Sequence, residues 1–313
     1  MKSVIKVAGV PVAAFAALLA ATADGAVATA ASAAPPGGVD ADAQAGGTLR
    51  WQENASAATK SWSESEVYYT FPVRQLARPV NRVSVSAVGS AGTVEVRGQR
   101  PDGRWTEWRQ VTGDKPVVAP YSGTKIQVRV VFDNPAAAAV AVPAVSLTAD
   151  TTPAGTATSG GTIQAAPTYR IFATREGLVG HTTANGHVIR PNDHFVALPS
   201  RRALNPNDGV RDYKVRVCNP RNGRCEDAPV FDVGPWNTRD DYWNPSNVRE
   251  NWQNLPQGKP EATAAYYQNY NGGRDQFGRQ VSNPAGIDLA DGTWANLGMT
   301  NNDFVNVTFL WKG

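Results

Sequence analysis

Residues 230–236, with the sequence VFDVGPW, place a single aspartate in an apolar, β-forming run that Gly-Pro then interrupts. Asp232 is flanked by Phe231, Val233 and Trp236, and apolar surroundings raise the pKa of a carboxyl group toward the range that a general acid needs. An aspartate at a strand exit also commonly caps a turn without any chemical role. The rest of the chain has to distinguish these two interpretations.

The second half of the chain alternates short apolar runs with turn residues, which is typical of strands. The predicted strands lie at residues 169–173, 188–189, 194–198, 213–218, 229–233, 286–289 and 305–311. One helix is predicted at residues 260–268, where a proline is followed by strong helix formers. Short strands with a single helix predict a small β-barrel over residues 168–313.

Residues 48–150 show the same two-residue alternation, for example at 83–88 and 125–132. Several short strands at this spacing predict a β-sandwich. Within it, residues 98–109 (GQRPDGRWTEWR) resemble β-domains that precede the catalytic domain of secreted actinobacterial cell-wall amidases. None of the zinc ligands of those amidases can be placed in this chain.

Residues 1–33 have the pattern of a secretory signal peptide. Lys2 and Lys6 precede an apolar run at residues 7–21, and the small residues Ala31 and Ala33 fit the cleavage rule. The run is too short to span a bilayer comfortably, and no longer apolar run follows. We therefore expect a secreted protein, extracellular or associated with the cell wall, without a membrane span.

Two further segments are rich in small residues. Residues 34–47 predict a disordered leader, and residues 151–167 predict a flexible linker between the two β-rich halves. The formal net charge is +3, and the charges are mixed along the chain without a basic block. Nucleic acid is therefore an unsuitable partner, and we expect a monomer.

The two cysteines, Cys218 and Cys225, flank the dipeptide Asn222-Gly223, which is a strong signal for a hairpin turn. The two thiols then face each other across the hairpin. In an oxidising compartment this arrangement predicts a disulfide rather than a metal-bound or reactive thiol pair.

Four short motifs follow one another in the second half: GHTTANG at 180–186, FVALP at 195–199, DVGP at 232–235 and IDL at 287–289. In this order they resemble the double-psi β-barrel superfamily, notably rare lipoprotein A-type transglycosylases, the barrel of membrane-bound lytic transglycosylase A, expansins and family-45 glycoside hydrolases. The resemblance covers about residues 169–311. It implies a six-stranded double-psi β-barrel that acts on a cell-wall glycan, with peptidoglycan as the first candidate.

The resemblance also implies roles for single residues. Asp232 falls where the transglycosylase barrels carry their catalytic aspartate, and Asp288 matches the aspartate that family-45 hydrolases use as a proton donor. Thr183 and Asn185 match the loop that lines the substrate groove. His187 stands where the rare lipoprotein A pattern has a glutamate, and we expect it in the same groove.

Two departures from the family pattern affect the expected activity. Leu198 occupies the position of a family histidine, and the first-strand aspartate of family-45 enzymes has no clear equivalent. Glycan cleavage through Asp232 and Asp288 is therefore weighed against a non-catalytic, expansin-like module that binds or loosens polysaccharide. A secreted protease-inhibitor-like barrel is a third hypothesis, with the aromatic loop of residues 236–252 as its contact surface.

Residues 236–259 form a long stretch that is polar, aromatic and without periodicity, and loops of this length are usually functional. Its tryptophans Trp236, Trp243 and Trp252, with Trp294 further along, are candidates for stacking on sugar rings. Because several of them must pack in the core, we expect no more than about two to be usable.

The histidines His181, His187 and His194 all lie in the second half and are candidate metal ligands by residue type. Zinc sites usually combine closer pairs or mix cysteine with histidine. We therefore expect ordinary hydrogen bonds at these positions, no metal and no cofactor.

Overall fold

The computed structural model describes residues 47–313 with gaps at 63–65, 89–91, 135, 137–143 and 153–164. The predicted signal peptide lies outside the described residues, as do the predicted leader except for its last residue and most of the predicted linker. The described part of the chain is mainly β, with 41% strand and 11% helix. The mainly β fold predicted from the apolar alternation is confirmed.

Strands β1 to β8 form one sheet in the first half of the chain. Their bounds are β1 Leu49–Glu53, β2 Thr59–Trp62, β3 Val67–Thr70, β4 Arg74–Val88, β5 Thr93–Gly98, β6 Arg109–Gln110, β7 Val117–Phe132 and β8 Val145–Asp150. The order is β1-β8-β4-β7-β3-β2, with β5 paired to β7 and β6 paired to β5. Because the long strand β7 pairs with β3, β4 and β5, the sheet curls around a single apolar core.

Strands β9 to β14 close into a six-stranded barrel. Their bounds are β9 Thr168–Arg175, β10 Val196–Leu198, β11 Lys214–Cys218, β12 Cys225–Val233, β13 Ile287–Leu289 and β14 Asp303–Phe309. The order around the barrel is β10-β12-β11-β14-β9-β13, and the β10–β12 and β9–β13 pairs are parallel. The strand predicted at residues 188–189 is wrong, because Val188 forms only an isolated bridge with Thr182.

Two short helices accompany the barrel in the described residues: α1, Glu261–Gln268, and α2, Asp291–Asn296. Helix α1 begins directly after Pro260, as predicted, and ends at Asn269, which adopts the left-handed conformation typical of a helix C-terminus. Within the described chain, neither helix is long and apolar enough to cross a membrane.

The predicted disulfide is present between Cys218 and Cys225. The two residues face each other at the end of the antiparallel β11–β12 ladder. The backbone amide of Gly223, which has a positive φ, donates to the carbonyl of Asn219 and closes the turn. The bridge therefore reinforces a hairpin that the backbone already defines.

The sheet and the barrel belong to one compact unit, and a buried charge network joins them. Arg201, between β10 and β11, is fully buried and donates to Glu95 of the sheet at 2.6 Å, to Glu66 at 2.9 Å and to Asp133 at 2.8 Å. Arg129 of β7 pairs with the second oxygen of Glu95. Burial alone would raise the pKa of Glu95, but the two guanidinium groups lower it to about 2.

A second part of the junction passes through Glu107 of the sheet. Its carboxylate accepts hydrogen bonds of 2.8 Å from the indole N–H groups of Trp243 and Trp311, and one of 2.7 Å from Asn244. Trp108, next to it in the chain, is fully buried in the core of the barrel. Residues of the sheet therefore complete the barrel core.

Candidate functional site

One row of residues crosses four neighbouring strands of the barrel. Ala197 on β10 lies opposite Asp232 on β12 and opposite Asp288 on β13. Asp288 in turn lies opposite Thr174 on β9. Residues in register across a sheet share one face, and Ala197 contributes only a methyl group between the two acids. The fold thus brings together two aspartates that are 56 positions apart in the chain.

This row borders an open cleft of about 420 Å³. The cleft is bounded by the segment after β9, by residues 232–238 and by the turn around residue 277. The residues that carry its chemistry are Glu176, Asp232, Asp288, Trp236, Phe277 and Arg279. Both aspartates singled out in the sequence therefore line one cleft.

Asp232 is held in place by two backbone amides. Its Oδ1 accepts hydrogen bonds of 2.8 Å from the N–H groups of Ala184 and Val233. The side chain is half-buried and lines the cleft. These two fixed donors therefore set the orientation of the carboxyl group at the cleft.

Asp288 is the second carboxylate of the row. Thr174 donates a hydrogen bond to its Oδ1, and a Cβ atom added at Gly234 would lie 3.8 Å from its Oδ2. Burial and, to a smaller extent, the charge of Asp232 raise the pKa of Asp288 to about 7, against the opposing effect of the threonine hydrogen bond. No basic side chain of the described residues pairs with Asp288, so it is poised to exchange a proton near neutral pH.

Glu176 is a third acid in the cleft, which the sequence reasoning missed. It directly follows β9, and its backbone N–H donates to the carbonyl of Leu289 at 2.9 Å. Its Oε2 is buried and has no hydrogen-bond partner in the described residues. Burial and then the charge of Asp232 raise the pKa of Glu176 well above its ordinary value.

Apolar and aromatic side chains form the rim of the cleft. Trp236 is half-buried, whereas Leu178 and Phe277 are more than half exposed. The guanidinium of Arg279 lies 5.0 Å from the Phe277 ring and 6.0 Å from the Trp236 ring, and it is also paired with Asp275. Aromatic faces beside acids are the usual surroundings of a bound sugar ring, which has an apolar face and a polar edge.

Thr183, Asn185 and His187 do not line the cleft. Thr183 and Asn185 are buried, and Asn185 Oδ1 accepts from the Thr183 hydroxyl at 2.7 Å and from the His187 backbone N–H at 3.1 Å. The His187 ring is paired with Asp193 at 2.6 Å. Their hydrogen bonds fix the loop that presents the Ala184 N–H to Asp232, so they support the site instead of facing a ligand.

Among the predicted tryptophan platforms, only Trp236 lines the cleft. Trp243 is fully buried and packs on Phe309 with ring centroids 5.1 Å apart, so its faces are not accessible to a ligand. Trp252 is half-buried against Tyr270, away from the cleft lining. Trp294 is buried in the barrel core. The glutamate of the sheet that binds the Trp243 indole explains why this tryptophan points inward.

The histidines occupy separate positions. His194 pairs with Glu226 at 2.8 Å, and His187 pairs with Asp193. Throughout the chain that the structure describes, no three histidine, cysteine or acidic side chains are arranged to hold a metal ion. The chemistry available in the cleft is that of its three carboxyl groups.

Residues 167–308 match the family described as Domain of unknown function (DUF8814). The matched span contains all three acids of the cleft and excludes the curled sheet. No curated protein matches the chain. The geometry of the cleft is therefore the basis for a functional proposal.

Proposed function

We propose that this chain is a secreted protein that cleaves or remodels a cell-wall glycan, with peptidoglycan as the first candidate and Asp232 as the acid/base centre. The proposal rests on the double-psi β-barrel resemblance of the second half. The observation that carries it is the convergence of Glu176, Asp232 and Asp288 in one cleft with an aromatic rim. A closed six-stranded barrel with two parallel strand pairs is compatible with that resemblance.

The carboxyl pair supplies both protonation states that glycosidic cleavage needs. Two neighbouring carboxyl groups repel each other when both are ionised, and burial together with the charge of Asp232 raises the pKa of Glu176, so Glu176 is the group that holds the proton. Glu176 then protonates the glycosidic oxygen as the bond to the anomeric carbon breaks. Asp232 remains an anion held by two backbone amides, beside the position where positive charge develops on the sugar.

Two outcomes are compatible with this arrangement. In a lytic transglycosylase, a hydroxyl of the same sugar attacks the anomeric carbon and gives up its proton to a carboxylate, which leaves an anhydro-sugar end. In a hydrolase, a carboxylate takes a proton from a water molecule whose oxygen bonds to the anomeric carbon, or the carboxylate bonds to that carbon first and water then displaces it; a reducing end results on either route. Asp288, whose pKa is about 7, can accept or release a further proton in either mechanism.

The test uses purified sacculi incubated with the wild-type chain, Asp232→Asn and Glu176→Gln. Both changes keep the side-chain shape and remove the ability to exchange a proton, so release of muropeptides should fall by about 100-fold or more. Asp227→Asn is the matched control, because Asp227 lies on the same strand, is exposed and pairs with Arg216. Equal release from all four proteins would end the proposal, and mass spectrometry of the ends would separate anhydro-sugars from reducing sugars.

An expansin-like module that binds and loosens polysaccharide is a second candidate. Two positions favour it: Leu198, which replaces a family histidine, is fully buried, and His187, which replaces a family glutamate, is tied to Asp193. Sedimentation with insoluble glycan without new sugar ends would select this alternative. The protease-inhibitor hypothesis has less support, because Tyr242 and Trp243 of the long loop are buried.

A further inference from the structure

We propose that the chain has a second binding site, for a small organic anion, at the junction between the curled sheet and the last residues of the barrel. A cavity of about 200 Å³ opens there. Six of its lining residues decide its chemistry: Arg100, Arg109, Lys312, Tyr121, Trp105 and Val118. None of them lines the acidic cleft, so this proposal does not depend on the proposed glycan activity.

Arg109 and Tyr121 offer donors that the protein does not use. Arg109 on β6 is half-buried, and no side chain or carbonyl of the described residues forms a hydrogen bond or ion pair with its guanidinium. The Tyr121 hydroxyl on β7 likewise has no hydrogen-bond partner in that part of the chain. Burial raises the pKa of Tyr121, so the phenol keeps its proton and can donate it to an anion.

The one carboxylate that lines the cavity does not neutralise Arg109. Both oxygens of Glu107 are occupied by the indoles of Trp243 and Trp311 and by the amide of Asn244. Burial alone would raise the pKa of Glu107, but Lys312 and these hydrogen bonds lower it to about 2. The negative charge of Glu107 is therefore compensated by Lys312 and by these buried donors.

The two other cations are fixed beside the cavity by their own contacts. Arg100 pairs with Asp102 at 3.0 Å, donates to the carbonyl of Trp311 at 3.4 Å and lies 5.5 Å from the Tyr121 ring. Lys312 donates to Asn244 at 2.6 Å. Asp102 compensates Arg100, and Glu107, 3.5 Å from Lys312, compensates Lys312. Arg109 is therefore the uncompensated positive charge of the lining, and it attracts an anion.

The apolar and aromatic residues that line the cavity indicate which kind of molecule carries the anionic group. Val118 is about half exposed at the mouth, and Trp105 contributes a buried aromatic wall. A neighbouring apolar cavity of about 40 Å³ shares Val117 and Tyr121 with this one. The site therefore suits a carboxylate or phosphate monoester carried by a small aromatic or aliphatic group, which is smaller than the ligands of typical drug-sized pockets.

The test is calorimetric titration of the full chain with benzoate and phenyl phosphate, and with benzamide as a neutral analogue of similar size. We expect saturable binding of at least one anion at a single site, weaker in high salt, and no binding of benzamide. Preference for benzoate or for phenyl phosphate identifies a carboxylate or a phosphate as the group recognised.

Arg109→Gln should weaken the binding by about tenfold or more, because it removes a charge-assisted hydrogen bond. Val118→Glu is a second variant, at an exposed position, that places a repelling carboxylate at the mouth and should have the same effect. Arg50→Gln is the matched control, since Arg50 is exposed on β1 and outside the cavity. Failure of both anions to bind, equal binding of benzamide, or equal losses in the Arg109 and Arg50 variants would each overturn the proposal.

Discussion

Glu176 and Asp232 line the same cleft, and the charge of Asp232 adds to burial in raising the pKa of Glu176, although the two residues lie on different segments of the barrel, one just after β9 and the other on β12. Two neighbouring carboxylates repel each other, so the pair is stable only while it holds a proton. That proton is the most specific chemical property of the cleft, and it can be measured without a substrate.

The pKa of Glu176 should fall when Asp232 is replaced by asparagine. Burial and then the charge of Asp232 raise that pKa, and the variant removes the charge while keeping a polar group in place. A pH titration of the glutamate side-chain carboxyl ¹³C signals, with Glu176→Gln used for the assignment, measures the shift. An unchanged midpoint in Asp232→Asn would show that the two groups are not coupled.

Replacing Asp288 by asparagine should stabilise the protein at pH 8 and leave its stability at pH 4 nearly unchanged. The folded pKa of about 7 lies above the ordinary value of 3.8, so the folded state holds the proton more tightly than the unfolded state. Wild-type stability therefore decreases as the pH rises from about 4 to 7. The asparagine variant lacks this loss, and its advantage at pH 8 should be on the order of 2 kcal/mol.

Urea unfolding at a series of pH values checks this prediction. Asp208→Asn, at an exposed loop position, is the control and should follow the wild-type profile. A constant difference between Asp288→Asn and the wild type from pH 4 to pH 8 would contradict the assigned proton.

Arg201→Met should destabilise the protein by about 3–5 kcal/mol. The change removes a guanidinium that pairs with Glu66 and one of the two that compensate Glu95, and a poorly compensated buried charge is costly. Arg216→Met, which breaks the exposed pair with Asp227, should cost no more than about 1 kcal/mol. Denaturant unfolding of both variants gives the comparison, and similar costs would mean that the junction network contributes little.

Removing the disulfide with Cys218→Ser and Cys225→Ser should lower the free energy of unfolding by about 2 kcal/mol without unfolding the barrel. The bridge closes a short loop with a sequence separation of 7 residues, so the entropy that it removes from the unfolded chain is limited. The backbone ladder of β11 and β12 holds the hairpin in either case. Amide hydrogen exchange should change near the turn, and a loss of protection throughout the barrel would contradict the prediction.

Much of the fold could be predicted from the sequence, because local patterns determine it. Alternating apolar residues predict β9, β11, β12 and β14, and Asn222-Gly223 between two cysteines predicts the hairpin and its disulfide. The register between paired strands, in contrast, cannot be predicted from local patterns. That Asp232 and Asp288 both lie opposite Ala197 follows from the pairing of β10 with two partners, and no local pattern contains that information.

The candidate site was less predictable for the same reason. Glu176 follows a strand like many surface glutamates, and only the pairing of β9 with β13 places it beside Asp232. Composition also does not show which aromatic residues of a long loop are buried, so Trp236 and Trp243 were indistinguishable. The sequence also does not show that Glu95 and Arg201 are buried, because their burial depends on a partner far away in the sequence.

The position of Glu107 has a consequence for how such proteins diversify. Accessory modules attached by a linker can be exchanged by recombination, but here one glutamate from the first half satisfies three donors of the second, Trp243, Trp311 and Asn244. Exchanging the first half would leave these three buried donors without a hydrogen-bond acceptor. The two halves are thus expected to be inherited as a pair, and a homologue that keeps only the span of the matched family, which ends before Trp311, must carry compensating substitutions at Trp243 and Asn244.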